Sequence, residues 1–192
     1  IVALGLQLLR QACRDAATWR HVPSRPPYVS VNLSAHQIRH VGLVADIAAA
    51  LDDSGLPAHR LQLEITEGTA VDTGPHTQAT LRSLSTLGIR LALDDVGTGF
   101  ANHVSLRALP LHTIKIDASL TETLKPNAVD PKDHAILAHA INLGHLLDPT
   151  VTAEGVETAA QARRLHHMRC DLGQGWHYGR PVPAQQVTPL IR

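Results

Sequence analysis

The chain of 192 residues is long enough for one domain with a substantial core. Lys+Arg and Asp+Glu balance at 17 each, which excludes the basic footprint of a protein that binds a nucleic-acid polymer. Hydrophobic residues make up 44% and aromatics only 3%, so the core must be built from Leu, Ile, Val and Ala.

Residues 1–17 carry Leu4, Leu8, Leu9, Ala12, Cys13 and Ala16 at helical spacing, which predicts an amphipathic helix with Arg10, Arg14 and Asp15 outward. Pro23, Pro26 and Pro27 interrupt it. A strand follows over 28–33, and Ser34 stands where it could cap a helix. Residues 41–51 form a second helical run, stopped by Ser54, Gly55 and Pro57. The alternating stretch 60–65 reads as a strand closed by Thr66-Glu67-Gly68. A helix is expected over 75–87 with Gly88 at its C-terminal cap.

Residues 89–94 then read as a buried strand ending in the adjacent carboxylates Asp94 and Asp95 and turning at Gly97-Thr98-Gly99. Two carboxylates side by side repel unless a cation or partner sits between them, which suggests a divalent metal site with hard oxygen ligands. The alternative is an Asx-turn at a strand end. Beyond it come a short helix over 104–109, a strand over 112–117, a loop over 126–131 and a helix over 134–147. A strand over 150–154, a helix over 158–168, a short strand over 171–175 and a proline-rich tail complete the chain.

Strand and helix alternate, which predicts an α/β fold with a parallel sheet of six strands, either open or barrel-like. Each strand ends in a polar residue: Asn32, Glu64, Asp94 with Asp95, Lys115, Glu154 and Gln174. In a parallel barrel such ends converge on one face, where active sites sit, and this favours a TIM-like barrel. Four carboxylates and an amide oxygen could hold two divalent cations, an arrangement suited to phosphodiester cleavage. Lys115 among them either positions water or phosphate, or forms a structural ion pair.

Val31-Asn32-Leu33-Ser34, Leu63-Glu64-Ile65-Thr66-Glu67, Leu93-Asp94-Asp95-Val96-Gly97-Thr98-Gly99, Ile114-Lys115-Ile116-Asp117, Ala153-Glu154-Gly155-Val156-Glu157 and Gln174-Gly175 resemble the motifs of the EAL domain family, in order and at similar spacing. The resemblance covers nearly the whole chain. It implies a TIM-like barrel that hydrolyses cyclic di-GMP to linear pGpG with Mg2+ or Mn2+ in a two-metal site. By motif, Asn32, Glu64 and Asp94 resemble metal ligands and Asp95 the ligand of the second metal. Lys115 resembles the lysine that orients the nucleophilic water, and Glu154 the general base or a metal-linked acid. Glu157 resembles a supporting carboxylate, Gln174 and Asn32 resemble substrate contacts, and Glu67 resembles the anchor of the loop after Asp95.

The Glu-Ala-Leu signature itself is absent. The expectation is therefore a single EAL-type domain over 1–192 that lacks the family's first two strands and one metal ligand, and is weak or inactive alone. A degenerate domain that binds nucleotide or protein without cleaving is the alternative. Val96 replaces an aromatic, Phe100-Ala101-Asn102 replaces an aromatic followed by two serines, and Ala118 and Leu120 replace Arg and Phe. The sole Met is Met168, so the chain is expected to be a piece of a longer protein. The resemblance implies an upstream sensory or GGDEF-type domain in that parent, and a homodimer. No segment reads as a signal peptide or membrane span, and a cytoplasmic location is expected. Cys13 and Cys170 read as reduced filler. The 13 histidines, including His36 with His40 and the His166-His167 pair, lack partners at zinc spacing and are read as surface residues.

Overall fold

A computed structural model describes residues 1–19, 26–71, 74–97, 106–125 and 131–191. Pro23, the Thr98-Gly99-Phe100 turn, the Phe100-Ala101-Asn102 departure, the first two residues of the expected 104–109 helix and residues 126–130 of the expected 126–131 loop lie outside those residues. The fold is α/β, and its six strands lie in the order β1-β2-β3-β4-β5-β6, all parallel, as the sequence predicts. They are β1 (Val29–Asn32), β2 (Leu61–Thr66), β3 (Arg90–Val96), β4 (Thr113–Ile116), β5 (Thr150–Ala153) and β6 (Leu172–Gly173). The helices are α1 (Val2–Ala17), α2 (Ala35–Ile38), α3 (Leu43–Ser54), α4 (Glu67–Val71), α5 (Pro75–Thr86), α6 (Ala118–Glu122), α7 (Pro131–Leu146) and α8 (Ala159–His167). The chain forms two compact units, one of Ile1–Ile65, Asp72–Leu91 and Val182–Arg192, the other of Thr66–Val71 and Ala92–Pro181.

In the first unit, α1 buries Leu9, Cys13 and Ala16 and packs on α3, which buries Leu43, Ile47, Ala50 and Leu51. The inward face of α1 is narrower than the sequence predicts: Leu4 and Leu8 are 56% and 60% exposed. Spacing alone cannot tell which edge of a broad apolar stripe meets the partner helix. The buried Arg60 guanidinium donates to the carbonyls of Pro27 and Ala16 at 2.8 and 2.9 Å, tying the end of α1 to the lead-in of β1. Ser34 caps α2 as expected and shares a capping box with Gln37. Helix α5 ends as predicted: Gly88 N donates to the Ser85 carbonyl and Ile89 N to that of Leu84, a Schellman closure.

β2 is buried at every position through Ile65, and only Thr66 is exposed. The alternation read in its sequence does not mark one wet face, because a central parallel strand is covered on both sides. The residues expected to close it, from Glu67 on, instead form α4.

In the second unit, Ile116, Val151, Ala153, Val156, Leu120, Leu137, Ile141 and Leu165 form a common core between β4, β5 and helices α6, α7 and α8. Burying each Leu, Ile or Val among them contributes about 1.5–3 kcal/mol. Helix α7 starts at Pro131, earlier than the sequence suggests, with proline in the first turn where no amide bond is lost. Helix α6 was not anticipated. Its signal is Asp117, whose carboxylate accepts from Ser119 N at 2.9 Å as an N-cap.

Candidate active site

β3 runs on through both aspartates, to Val96, where a strand end at Asp94 was expected. Leu93 pairs with Ile114 and Val96 with Ile116, so Asp94 and Asp95 together stand opposite the single residue Lys115. That is a β-bulge, and it breaks the strict in-out alternation that would otherwise aim adjacent side chains at opposite faces. Asp95 carries the irregularity at φ 59°. Aspartate is among the few side chains that tolerate this left-handed region.

Opposite the bulge, the Lys115 ammonium lies 3.2 Å from Asp94 Oδ1 and 2.5 Å from Glu154 Oε1. The Lys115 side chain is 5% exposed, that of Asp94 12% and that of Glu154 19%. Glu154 is brought there by the residue beyond β5: its amide donates to the Ile116 carbonyl at 3.0 Å. One cation thus serves two carboxylates with little water to screen it, which strengthens each attraction. Asp94 Oδ1 is buried, lies within ion-pair range of Lys115, and accepts no hydrogen bond.

Gln174 sits one residue beyond β6, its backbone bonded to Ala153 and Val156, and its side chain is exposed. The Glu157 carboxylate is at the surface and pairs with Lys125 Nζ at 3.4 Å. Glu122, and after it Glu157, hold the Lys125 ammonium above the usual lysine range. Glu67 is buried at the start of α4.

The first unit places Asn32 and Glu64 opposite each other in the β1–β2 register. Glu64 is buried, and its Oε1 accepts from Ser30 Oγ at 2.5 Å. Ser30 Oγ in turn accepts from Gln62 Nε2 at 3.1 Å, and Gln62 Oε1 accepts from Arg90 Nε at 3.4 Å. Arg90 also stacks over Tyr28, 4.9 Å from the ring centroid. This chain of donors orients Glu64. The sequence reading missed Ser30, although it stands two residues before Asn32 and strand periodicity puts both on one face.

Carboxylate oxygens and an amide are the donors a hard divalent cation takes, and the buried Asp94 Oδ1 without a hydrogen bond is the atom that fits one best. Among the described residues no three His, Cys, Asp or Glu side chains gather about one point, so this fit rests on donor chemistry and on that oxygen. The described histidines form no such group either. Cys13 and Cys170 are free, and burial pushes both thiols up to about 11, which suits filler and not a nucleophile. Among the described residues no helix is long and apolar enough to cross a membrane.

The signaling protein YkoW of Bacillus subtilis is 36% identical over 191 residues, covering 100% of this chain and 23% of YkoW. MucR of Pseudomonas aeruginosa, a bifunctional diguanylate cyclase/cyclic di-GMP phosphodiesterase, is 37% identical over 100% of this chain and 27% of its own length. The chain thus spans about a quarter of these curated relatives. The solved MucR phosphodiesterase in complex with c-di-GMP superposes with a TM-score of 0.89 at 37% identity, over 97% of this chain and 74% of that one. BlrP1 of Klebsiella pneumoniae, solved with manganese and cyclic di-GMP, gives 0.81 at 26% identity over 94% of this chain and 45% of that one. The likeness extends the α/β reading to the TIM-like fold. The EAL domain profile matches residues 1–181, and the chain belongs to the EAL domain family.

Proposed function

We propose that this chain carries a cyclic di-GMP phosphodiesterase site, using Mg2+ or Mn2+ to open the cyclic dinucleotide to linear pGpG. The observation that carries this reading is the Asp94–Lys115–Glu154 cluster, built on a bulge and largely buried, with Glu154 its most exposed member. The family membership and the activity named for MucR support the substrate. Glu64, Asp94, Asp95, Asn32 and Glu154 would hold the cations. When bound, these supply Lewis-acid polarisation of a phosphate oxygen and a more acidic water.

The protein's own part is to order the reactants. Lys115 offsets the repulsion between Asp94 and Glu154 and presents an ammonium to a water or a phosphate oxygen. Glu154 takes a proton from the attacking water. The water oxygen bonds to one phosphorus and the bond from that phosphorus to the ribose oxygen breaks. The ribose oxygen takes up a proton, and the ring opens to a linear dinucleotide. Ser30 holds the Glu64 carboxylate in place. Gln174 and Asn32 are exposed at strand ends, where they can hydrogen-bond substrate.

The test is pGpG release with Mn2+ present, alongside calorimetric titration with cyclic di-GMP. Glu154→Gln should lower kcat by about 10²-fold or more, the lower end for loss of a general base, while leaving nucleotide binding in place. Binding without turnover in a version extended upstream to restore the first two strands would instead mark a sensing module, and absence of binding by that version would refute the substrate.

A further inference from the structure

We infer that Trp176, backed by Arg180, is a stacking platform for a purine base of the nucleotide. This rests on the proposed substrate and adds a recognition residue to it. Trp176 belongs to the second unit, two residues past Gln174. β5 and β6 are parallel with Ala153 paired to Gly173, so Glu154 and Gln174 leave the sheet side by side. The loop bearing Trp176 therefore starts beside the carboxylate that Lys115 binds.

The loop is fixed in shape. Val156 N donates to the Gln174 carbonyl and His177 N to the Val156 carbonyl, each at 3.0 Å, and Tyr178 N closes a turn onto Gly175 at 3.0 Å. Gly175 lies so close to the Val156 backbone that any Cβ there would collide with it. The Tyr178 ring lies on Gly173, where a Cβ would come within 2.7 Å of its hydroxyl. A loop built this tightly nonetheless leaves the indole 58% exposed. The Arg180 guanidinium covers it from 4.7 Å above the ring centroid. An indole has two faces and Arg180 takes one. A flat purine base fits the other, and the guanidinium adds a positive charge suited to the adjoining phosphate. Base stacking on such a ring needs no sequence code and little further ordering, because the loop is already held.

Trp19 and Trp176 are the only tryptophans, so Trp19→Phe leaves one emitter. In that background, titration with cyclic di-GMP should quench Trp176 emission with the affinity found by calorimetry. Trp176→Ala should weaken binding about tenfold and raise KM with kcat little changed, and Trp176→Tyr should restore most of the affinity. The melting temperature of Trp176→Ala should stay put, since the ring is largely solvent-facing. If Trp19→Phe does not fold, 5-fluorotryptophan in the unsubstituted 192-residue chain gives two resonances, and Trp176→Tyr identifies the one that should shift. Undiminished affinity in Trp176→Ala, or an unmoved Trp176 signal at saturation, overturns the platform while the substrate reading stands. No calorimetric binding to the version extended upstream overturns both.

Discussion

Two of the buried carboxylates, Glu64 and Asp94, differ in the groups set beside them. Glu64, in the first unit, accepts from a neutral hydroxyl, which is itself fixed by an amide and an arginine. Asp94, in the second unit, faces an ammonium it shares with Glu154 and keeps one oxygen without a hydrogen bond. A hydroxyl orients a carboxylate without cancelling its charge. An ammonium cancels charge but commits the site to one cation. The first arrangement is a positioning device, and the second is an electrostatic balance that loss of the lysine would upset.

Removing Lys115 tests that balance most severely. Lys115→Met keeps the stem and deletes the charge, leaving Asp94 and Glu154 facing each other with little water. Breaking a buried ion pair from one side costs about 3–5 kcal/mol, and a urea melt should show a loss in that range. Millimolar Mn2+ should then return part of the stability, because a cation can stand where the ammonium stood. Stability unmoved by the substitution would mean the three groups are not electrostatically coupled. Failure of Mn2+ to restore any would argue against a cation site at Asp94.

The hydroxyl-held carboxylate should be more forgiving. Ser30→Ala removes the donor to Glu64 and leaves the buried Gln62 amide without one acceptor. Both Gln62 and Glu64 have further partners, so the expected loss is about 1.5 kcal/mol, the low end for a bond to a charged group. The sharper readout is kcat, which should fall as Glu64 loses its fixed orientation. A loss as large as that of Lys115→Met would erase the distinction between the two sites.

The order of the strands and the polar residue at the end of each were readable because alternating apolar runs and turns dictate a parallel sheet, and because charged residues there are costly without a purpose. The bulge at Asp94 and Asp95 was not readable. It depends on Leu93 and Val96 both keeping partners on β4 while the two residues between them face one, a long-range condition that no local pattern encodes. Leu4 and Leu8 misled for a related reason: helical spacing marks an apolar stripe but not the angle of the helix that covers it. Trp176 could have been noticed as a rare aromatic two residues after Gln174, but only the packing of Gly175 on Val156 shows that its loop is rigid.

The smallest expected effect separates a fixed charge from a fixed shape. Asp117 caps α6 two residues after Lys115, and the hydrogen bond from Ser119 holds its carboxyl below the usual carboxylate range. A carboxyl lowered in the folded state adds stability that is fully present above the unfolded pKa and disappears as pH falls through the folded one. Asp117 is only partly buried, so screening keeps the contribution under about 1 kcal/mol. Asp117→Asn retains an N-cap acceptor of similar quality but cannot titrate. Unfolding curves for the two proteins should agree closely at neutral pH, and below the usual carboxylate range the wild type should lose the more. The difference should shrink when Ser119→Pro removes the hydroxyl and the amide that Asp117 accepts from, provided that variant folds, since these hydrogen bonds and not the charge alone lower the carboxyl. A steeper acid loss in Asp117→Asn than in the wild type would reverse the sign and assign the acid sensitivity to another carboxylate.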